Sequence, residues 1–325
     1  GGIARAFAGA LHQAGGVEVA AVAVASRTRP AAEQFAQEYG LAAYQGYGAL
    51  LRSPDIDAVY NALPNSLHAE WTIRAAQAGK HVLCEKPLAV SLSEARTMFA
   101  AAEEHGVVLL EAFPYAFQPQ TLRTVELCRE GAIGSVRQIQ AAFGFAVQRS
   151  DDVRLSAPLA GGALMDVGCY PVSFARMVIG QRPGRVSAAA QWGESRVDLS
   201  LAGTLEYPDG ATAQIACSLV TSVYRQAAVL GSQGTIETDF FNHAAQGEGS
   251  LRLKRGVGRE SRAEEVEFER GNGFVFESVA LARQVRRPDD VLLAELKRRS
   301  LDNAATLEAL LNSARQSGWV EVQQP

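Results

Sequence analysis

The feature that most restricts the fold is a regular alternation of apolar, strand-like runs with helix-like segments over the first 110 residues. Helices are predicted at 3–14, 30–39, 47–52, 66–78 and 92–105, with Ser91 as the N-cap of the last, and strands at 17–25, 57–62, 81–84 and 107–110. The run at 17–25 has no polar face, which is typical of a strand buried on both sides. The alternation predicts a parallel sheet built from βαβ units, the architecture of a Rossmann-type α/β domain.

A different pattern begins beyond about residue 130. Residues 197–206 alternate apolar and polar side chains, and the turn at 207–210 leads into 211–219, which predicts a hairpin. This spacing favours an α+β domain with a large, mostly antiparallel open sheet. Further strands are predicted at 226–230, 234–238, 250–254 and 264–268, and helices at 163–178, 274–286 and 302–315. We therefore predict one domain at 1–115, with its first strand missing, and a second domain at 116–325.

Composition and charge exclude several classes of protein. The 325 residues carry a net charge of −4, which gives no electrostatic reason to expect nucleic acid or an anionic membrane as a partner. No apolar run approaches the roughly 20 residues that span a bilayer. The four cysteines, Cys84, Cys128, Cys169 and Cys217, lack metal-ligand spacing, so we predict no metal site and buried, reduced thiols in a cytoplasmic protein.

The chain starts with Gly1-Gly2-Ile3-Ala4 followed by a predicted helix. This resembles the end of a Gly-x-Gly-x-x-Ala fingerprint, in which Gly1 allows a close approach to a pyrophosphate and Ala4 lets the helix pack on the sheet. Amides at the helix N-terminus would hold the phosphate oxygens. A plain glycine-rich start explains the pattern equally well. Because the sequence does not begin with Met, we expect residues before Gly1 to be missing from it. A targeting signal in those residues therefore remains an open alternative.

Ser26-Arg27-Thr28 follows the predicted strand 17–25 and indicates the type of cofactor. An NAD site has an acidic residue here, which binds the ribose 2′-hydroxyl. A hydroxyl and a guanidinium suit a 2′-phosphate instead, because arginine presents a planar fork of donors. The sequence therefore favours NADP over NAD. The alternative is that Ser26 caps the next helix and Arg27 is solvated.

Candidate catalytic residues lie in two segments. Glu85-Lys86-Pro87 directly follows a buried strand, and proline restricts Lys86 to an extended backbone. Asp166 and Tyr170 are four residues apart, so they project from one face if the segment is helical. The glycines at 161–162 permit another element to approach closely. The alternatives are a surface lysine before a turn and a helix face whose polar groups are satisfied within the fold.

Together these residues suit hydride transfer from an alcohol carbon. Tyr170 could remove the hydroxyl proton if the ammonium group of Lys86 lowered its pKa from about 10. Asp166 could accept a hydrogen bond from a substrate hydroxyl and orient it. The nicotinamide would carry the redox chemistry.

Other polar residues follow the predicted parallel strands. They are candidate ligand contacts, because ligands bind outside the carboxyl ends of parallel strands. His68 either lines the nicotinamide pocket or starts a helix, and Glu111 is either catalytic or structural. Arg154 either reaches a substrate hydroxyl or a cofactor phosphate, or is an exposed loop residue. Besides the residues already given for the nucleotide end, the predicted cofactor contacts are Leu63, Pro64, Asn65, His68, Glu85, Lys86 and Glu111.

These motifs occur in an order that resembles the glucose–fructose oxidoreductase/inositol dehydrogenase family over nearly the whole chain. The match is nearest to the branch that holds dimeric dihydrodiol dehydrogenase and NADP-dependent xylose dehydrogenase. The resemblance implies that Lys86 and Tyr170 form the catalytic pair. It also implies that the second domain is a substrate-binding and oligomerisation domain, with homodimers or homotetramers formed through the exposed face of its sheet. Relatives of this branch often have a cation and an imidazole where this chain has Ala116 and Gln118, so the resemblance does not fix the substrate.

Two hypotheses follow from the sequence. In the first, the protein is an NADP-dependent oxidoreductase that transfers a hydride between nicotinamide and a carbinol carbon of a sugar, polyol or cyclic diol. In the second, it is a non-catalytic NADP or sugar sensor on the same scaffold, because a fold does not determine a function. The joint presence of Lys86, Asp166 and Tyr170 favours the enzyme.

Overall fold

The computed structural model describes residues 1–15, 18–240, 249–258 and 261–324. Within them, helices α1–α9 span Gly2–Ala14, Arg29–Tyr39, Tyr47–Leu51, His68–Gln77, Leu92–Glu104, Pro119–Arg129, Cys169–Ile179, Gly273–Arg286 and Asp290–Gln316. Strands β1–β14 span Ala23–Ser26, Ala42–Gln45, Ala58–Asn61, His81–Glu85, Leu109–Ala112, Val136–Ala146, Arg185–Trp192, Asp198–Glu206, Thr212–Ser218, Val220–Gly231, Gly234–Asp239, Leu251–Arg255, Arg262–Glu265 and Val320–Glu321.

The first five strands are parallel, which confirms the βαβ reading, but they form two sheets, β1-β2 and β3-β4-β5. The predicted strand at 17–25 is wrong in extent: Val17 lies outside the described residues, and the strand begins at Ala23. Its residues are half-buried because, among the described strands, β1 pairs only with β2. Ser91 caps α5 as predicted, since its side chain accepts a hydrogen bond from the amide of Glu94.

The second half of the chain builds a nine-stranded sheet in the order β13-β12-β11-β10-β6-β9-β8-β7-β14. All its pairs are antiparallel except β6 with β9, so the predicted mostly antiparallel sheet is confirmed. The predicted hairpin joins β8 and β9 through the turn at 207–210. The strand predicted at 264–268 is wrong in position, because β13 is Arg262–Glu265 and pairs there with β12.

The two faces of this sheet differ. One face packs on α7 and α9 and carries large apolar side chains such as Ile139, Ile215 and Leu205. On the other face, small and polar side chains stand side by side across five strands. We call these residues the open face: Gln226, Ala142, Ala216, Ala202 and Ala189 in one row, and Ala228, Gln140, Gln214, Thr204 and Ser187 in the next.

The last two helices connect the sheets. Helix α8 contacts α1 and the 3₁₀ turn at Pro114–Phe117, and the long α9 contacts α5 as well as β7. No described helix combines the length and the apolar composition that crossing a bilayer requires. All four cysteines are free and buried, which confirms the predicted burial of the thiols. The boundary between two domains near residue 115 stays a prediction.

Candidate active site

Lys86 and Tyr170 meet in the folded chain, as the sequence predicts. Lys86 follows the last residue of β4, and Tyr170 lies in the first turn of α7. The Nζ atom of Lys86 is 5.3 Å from the centre of the Tyr170 ring. The loop after a buried strand and the face of a distant helix therefore form one site.

Asp166 holds the ammonium group of Lys86. The Nζ atom donates hydrogen bonds to the backbone carbonyl of Asp166 at 2.7 Å and to its Oδ1 at 3.2 Å. Asp166 lies on a π-helical turn, Leu164–Gly168, which runs directly into α7. Because both contacts come from one residue, the position of the amine is fixed relative to the helix that carries Tyr170.

Arg154 supplies a second cation to the same carboxylate. Its Nε donates to Asp166 Oδ2 at 2.6 Å, and its NH1 group lies 3.2 Å from Asp152 Oδ1. Asp152 also accepts the backbone amide of Arg154 at 2.9 Å, which fixes the short turn at Val153–Leu155. Arg154 is therefore part of the site and not a solvated loop residue.

The charges of this group follow from its surroundings. Burial would raise the pKa of Asp166, but the nearby cations of Lys86 and Arg154 outweigh it and hold that pKa below its usual value. Burial opposes the charge on Lys86, yet the attraction of Asp166 raises the pKa of the lysine above its usual value. The site thus contains an ammonium, a guanidinium and a carboxylate that remain ionised at neutral pH.

The Tyr170 ring is enclosed by other aromatic rings and is 3% exposed. Phe113, Tyr115 and Phe143 lie 5.0–5.2 Å from it between ring centres, and Phe240 lies at 6.4 Å. Most of these pairs meet edge to face, the arrangement that aromatic quadrupoles favour. The aromatic cluster fixes the phenol ring and excludes water from its faces.

Gly162 and Asp198 position the helix that carries the site. Gly162 has a φ of +117°, and a Cβ on it would lie 2.1 Å from Asp198 Oδ1. The other oxygen of Asp198 accepts the amide of Leu164 at 2.7 Å. Burial raises the pKa of Asp198 to about 6. The close approach predicted for the glycines at 161–162 is thus confirmed, whereas nothing in the sequence near Asp198 identified its role.

Glu85 anchors the backbone before Lys86. The side chain is buried, accepts a hydrogen bond from the Tyr60 hydroxyl, and lies 3.2 Å from the backbone amide of Lys86. Burial raises the pKa of Glu85 to about 6, although Lys86 opposes this shift. Tyr60 was missed by sequence reasoning, because a tyrosine within an apolar strand gives no signal of a polar contact.

His68 and Glu111 are held inside the protein. His68 is fully buried between the carbonyl oxygens of Pro87 and Leu63, at 3.0 and 2.8 Å, and burial lowers its pKa. Glu111 accepts the amide of Leu88 at 2.9 Å and the Ser300 hydroxyl at 2.7 Å. Both side chains therefore brace the loop that contains Lys86, and their contact with a cofactor stays a prediction.

The remaining predicted residues lie beside this group or at the nucleotide end. Asn65 donates from Nδ2 to the carbonyl of Ala160 at 2.9 Å, while Leu63 and Pro64 are half-buried. Ala116 and Gln118, which depart from the pattern of the resembled family, are buried, and Gln118 donates to the carbonyl of Gly271 at 2.9 Å.

The nucleotide end has the features that suit phosphate groups. Gly1 is the N-cap of α1, and no side chain caps the amides of Gly2, Ile3 and Ala4. Among the described residues, no atom lies within 4 Å of a Cβ placed on Gly1 or Gly2. These residues fit the pyrophosphate of a dinucleotide.

Ser26 ends β1, and Arg27 after it is exposed. Thr28, not Ser26, is the N-cap of α2, and its side chain makes no capping hydrogen bond. The alternative that Ser26 caps this helix is therefore wrong. Two hydroxyl groups and one guanidinium stand at the end of this strand, a donor set that suits a 2′-phosphate.

Comparison with known proteins gives two family matches. Residues 1–113 match the model of an oxidoreductase family with an NAD-binding Rossmann fold, GFO/IDH/MocA, and residues 121–237 match a C-terminal domain model of the same family.

Individual relatives match over most of the chain. The chain is 36% identical to D-xylose 1-dehydrogenase (NADP(+)) 2 of Haloferax volcanii over 93% of its length and 92% of that protein's. It is 35% identical to trans-1,2-dihydrobenzene-1,2-diol dehydrogenase of Xenopus tropicalis, over 73% of its length and 72% of that protein's. A crystal structure of a 3-ketoreductase from Actinomadura kijaniata in complex with NADP and TDP-benzene superposes with a TM-score of 0.85 at 31% identity, covering 94% of this chain and 93% of that one.

Proposed function

The chain belongs to the GFO/IDH/MocA oxidoreductase family, and from this premise we propose that it transfers a hydride between NADP and a carbinol carbon of a sugar, polyol or cyclic diol. The observation that carries the proposal is the meeting of Lys86 with Tyr170, which lie 84 positions apart in the chain. Asp166 holds the amine in this position. A sensor would need no amine held beside a phenol, so the geometry favours the enzyme.

Tyr170 is the proposed acid and base. During oxidation, its Oη takes the proton of the substrate hydroxyl, and during reduction it returns that proton to the carbonyl oxygen. The positive charge of Lys86 stabilises the phenolate that takes the proton during oxidation and that forms again during reduction. The nicotinamide, when bound, accepts or supplies the hydride at the same carbon.

Asp166 has a role that the sequence did not suggest. Its two carboxylate oxygens accept hydrogen bonds from Lys86 and from Arg154. We therefore assign it to holding Lys86 charged and in place, while the orientation of a substrate hydroxyl by Asp166 stays a prediction, because each carboxylate oxygen can accept a further hydrogen bond. Arg154 completes the same group at its more exposed side.

The cofactor assignment rests on independent observations. A xylose dehydrogenase relative is named for NADP(+), and the related 3-ketoreductase binds NADP in its crystal structure. In this chain, Ser26, Arg27 and Thr28 offer donors for a 2′-phosphate, and the segment has no carboxylate to bind a free 2′-hydroxyl. The amides of Gly2, Ile3 and Ala4 would hold the pyrophosphate.

Two further proposals concern the state of the protein in the cell. The four free, buried thiols support a location in the reducing cytoplasm. The open face of the large sheet, a band of alanine, glutamine and threonine side chains, supports a homodimer or homotetramer formed through it.

Substitution of the catalytic pair tests the proposal. We expect Lys86→Met and Tyr170→Phe to lower kcat by about 10²–10⁴-fold, the usual contribution of general acid–base catalysis, while leaving NADPH binding measurable by fluorescence. Turnover is measured with a panel of substrates that contains aldoses, inositols and cyclic diols, and each substrate is assayed with NADP and with NAD. Lys254→Met and Tyr224→Phe, on exposed strand positions, are the matched controls.

Wild-type turnover in both variants would overturn the catalytic assignment. Tight NADPH binding by the wild-type protein, without turnover of any compound in the panel, would favour the sensor.

A further inference from the structure

Glu277 is a buried acid that the proposed mechanism does not use. It lies on α8, its side chain is fully buried, and neither carboxyl oxygen has a hydrogen-bond partner among the described residues. An ionised carboxylate without a donor is strongly destabilising in a protein interior. Within the described part of the chain, the surroundings of Glu277 therefore favour the neutral carboxylic acid.

Helix α8 contacts β4, and the last residue of β4 is Glu85, an acid that already has two donors. The hydroxyl of Tyr60 and the backbone amide of Lys86 both bond to the Glu85 carboxylate. Burial and the charge of Glu85 raise the pKa of Glu277 far above its usual value, whereas that of Glu85 rises only to about 6. Two interacting, buried carboxyl groups do not both ionise readily, so the charge resides on the group with the donors.

In the part of the chain that the structure describes, the other titratable groups around this pair do not supply a counter-ion to Glu277. Tyr60, on β3, bonds to Glu85, and on α1 Arg5 pairs with Glu38. Arg286, on the same helix as Glu277, pairs with Glu18 at the surface. The remaining groups on the packed elements are Lys86, Asp166 and Tyr170 at the active site, Tyr115 on the 3₁₀ turn, Glu111 on β5, and His12, which lies against Tyr39.

We propose that Glu277 is a positioning residue: it stays neutral, leaves a single negative charge on Glu85, and thereby keeps the strand end before Lys86 in place. A second charge beside Glu85 would push the two carboxylates apart and would loosen the bond between Glu85 and the amide of Lys86. The inference rests on the proposed function, in which Lys86 must stay beside Tyr170.

The first test measures stability against pH. Because the folded pKa of Glu277 lies above its unfolded pKa, the folded state keeps a proton that the unfolded state loses as the pH rises through about 4.5. The wild type should therefore lose stability relative to Glu277→Gln as the pH rises, by about tenfold in the unfolding constant for each pH unit. Glu267→Gln, at an exposed position, should show no such trend.

The second test follows catalysis. With NADPH and the best substrate of the panel, the alkaline fall of kcat should shift to higher pH in Glu277→Gln, without a change in KM. Glu277→Met is also neutral and should show the same stability trend. It replaces Glu277→Gln if that variant folds poorly. In Glu85→Gln the trend should weaken, because the like charge that opposes ionisation of Glu277 is gone.

An unfolding-constant ratio that does not change between pH 5 and 8 would overturn the proposal, because Glu277 would then not be held neutral. Equal alkaline falls of kcat in wild type and Glu277→Gln would also overturn it. Failure of the proposed function is distinguished by the turnover of Lys86→Met in the otherwise unchanged chain, since the stability comparison of wild type with Glu277→Gln does not depend on turnover.

Discussion

At the scale of single residues, the site is organised around one carboxylate. Asp166 accepts a hydrogen bond from Lys86 on one oxygen and from Arg154 on the other. Each cation therefore stabilises the negative charge of Asp166 with which the other cation pairs. The arrangement is a shared group, in which removal of one partner changes the ionisation of the others. Its effect is therefore measurable as a change in pH dependence.

Arg154→Met should shift the acid limb of kcat/KM to higher pH. The carboxylate of Asp166 stabilises the fold above its unfolded pKa, and this stabilisation is lost as the pH falls through its lower, folded pKa. Without Arg154 the pKa of Asp166 rises, so the loss begins at a higher pH. A pH profile of kcat/KM measures the shift, and Arg149→Met, at an exposed arginine of the neighbouring loop, is the control. Identical acid limbs in Arg154→Met and wild type would refute the prediction.

Gly162→Ala should destabilise the protein more than Gly210→Ala. Both glycines have positive φ, so both substitutions carry backbone strain of about 1–3 kcal/mol. Only at Gly162 would the added Cβ also lie 2.1 Å from Asp198 Oδ1, whereas nothing lies within 4 Å at Gly210. Urea unfolding of both variants gives the comparison. Equal losses would show that the contact with Asp198 does not constrain the site helix.

Sequence reasoning identified Lys86, Asp166 and Tyr170, because each follows a strand or shares a helix face with another. It missed Asp198 and Glu277. Asp198 bonds to a residue 34 positions away, and Glu277 lies on a helix that contacts the distant β4, so no local pattern encodes either placement. The sequence therefore indicates which groups do the chemistry, while the groups that hold them in place become visible only after folding.

At the scale of elements, the start of α5 shows that a local sequence signal can be enough to predict a helix terminus. Ser91 lies before α5, and its hydroxyl accepts the amide of Glu94 at 3.2 Å. The serine, followed three residues later by a glutamate, is a recognisable start signal in the sequence. That signal depends on local geometry alone, which explains why the prediction was correct.

Ser91→Ala should therefore lower stability by about 1 kcal/mol, the typical value for loss of an N-cap. Ser93→Ala, two residues further along the same helix and exposed, should leave stability unchanged or raise it slightly, because alanine has the higher helix propensity. Thermal or chemical unfolding of both variants measures the difference. A loss in Ser93→Ala as large as that in Ser91→Ala would contradict the capping role.

The elements that the sequence analysis missed share a physical cause. Strands β6 and β7 and the helix α6 gave no clear periodic signal, because their faces mix small, polar and apolar side chains. β6 is central in the large sheet and alternates only weakly, since its outward positions carry alanine and glutamine. Tertiary pairing decides such segments, so periodicity alone does not find them.

At the scale of the whole molecule, the open face of the sheet is the surface with the clearest consequence for assembly. Ala142, Ala216 and Ala202 stand in line across three strands and leave the backbone accessible to a flat partner. A stable interface buries about 1,200–2,000 Å² in total, an area that a sheet of nine strands can supply.

Ala216→Glu should therefore lower the oligomeric state, since a charge at the centre of that face would be buried without a partner. Sedimentation velocity measures the change. Val291→Glu, at a highly exposed position on α9, is the control and should leave sedimentation unaltered. An unchanged sedimentation coefficient in Ala216→Glu, or a monomeric wild type, would rule out assembly through this face.

Lys86 and Asp166 come from opposite ends of the architecture, one from the parallel sheet and the other from the helix packed on the large sheet. Sliding either half by even a few ångströms would pull the amine away from its acceptors. Helix α9 is remote from any reacting atom but contacts both halves. Substitutions in it that shift the halves should thus lower activity, as substitutions in the active site do. Cleavage of the chain between the halves would yield one fragment with Lys86 and another with Asp166, and neither fragment alone would contain a complete site.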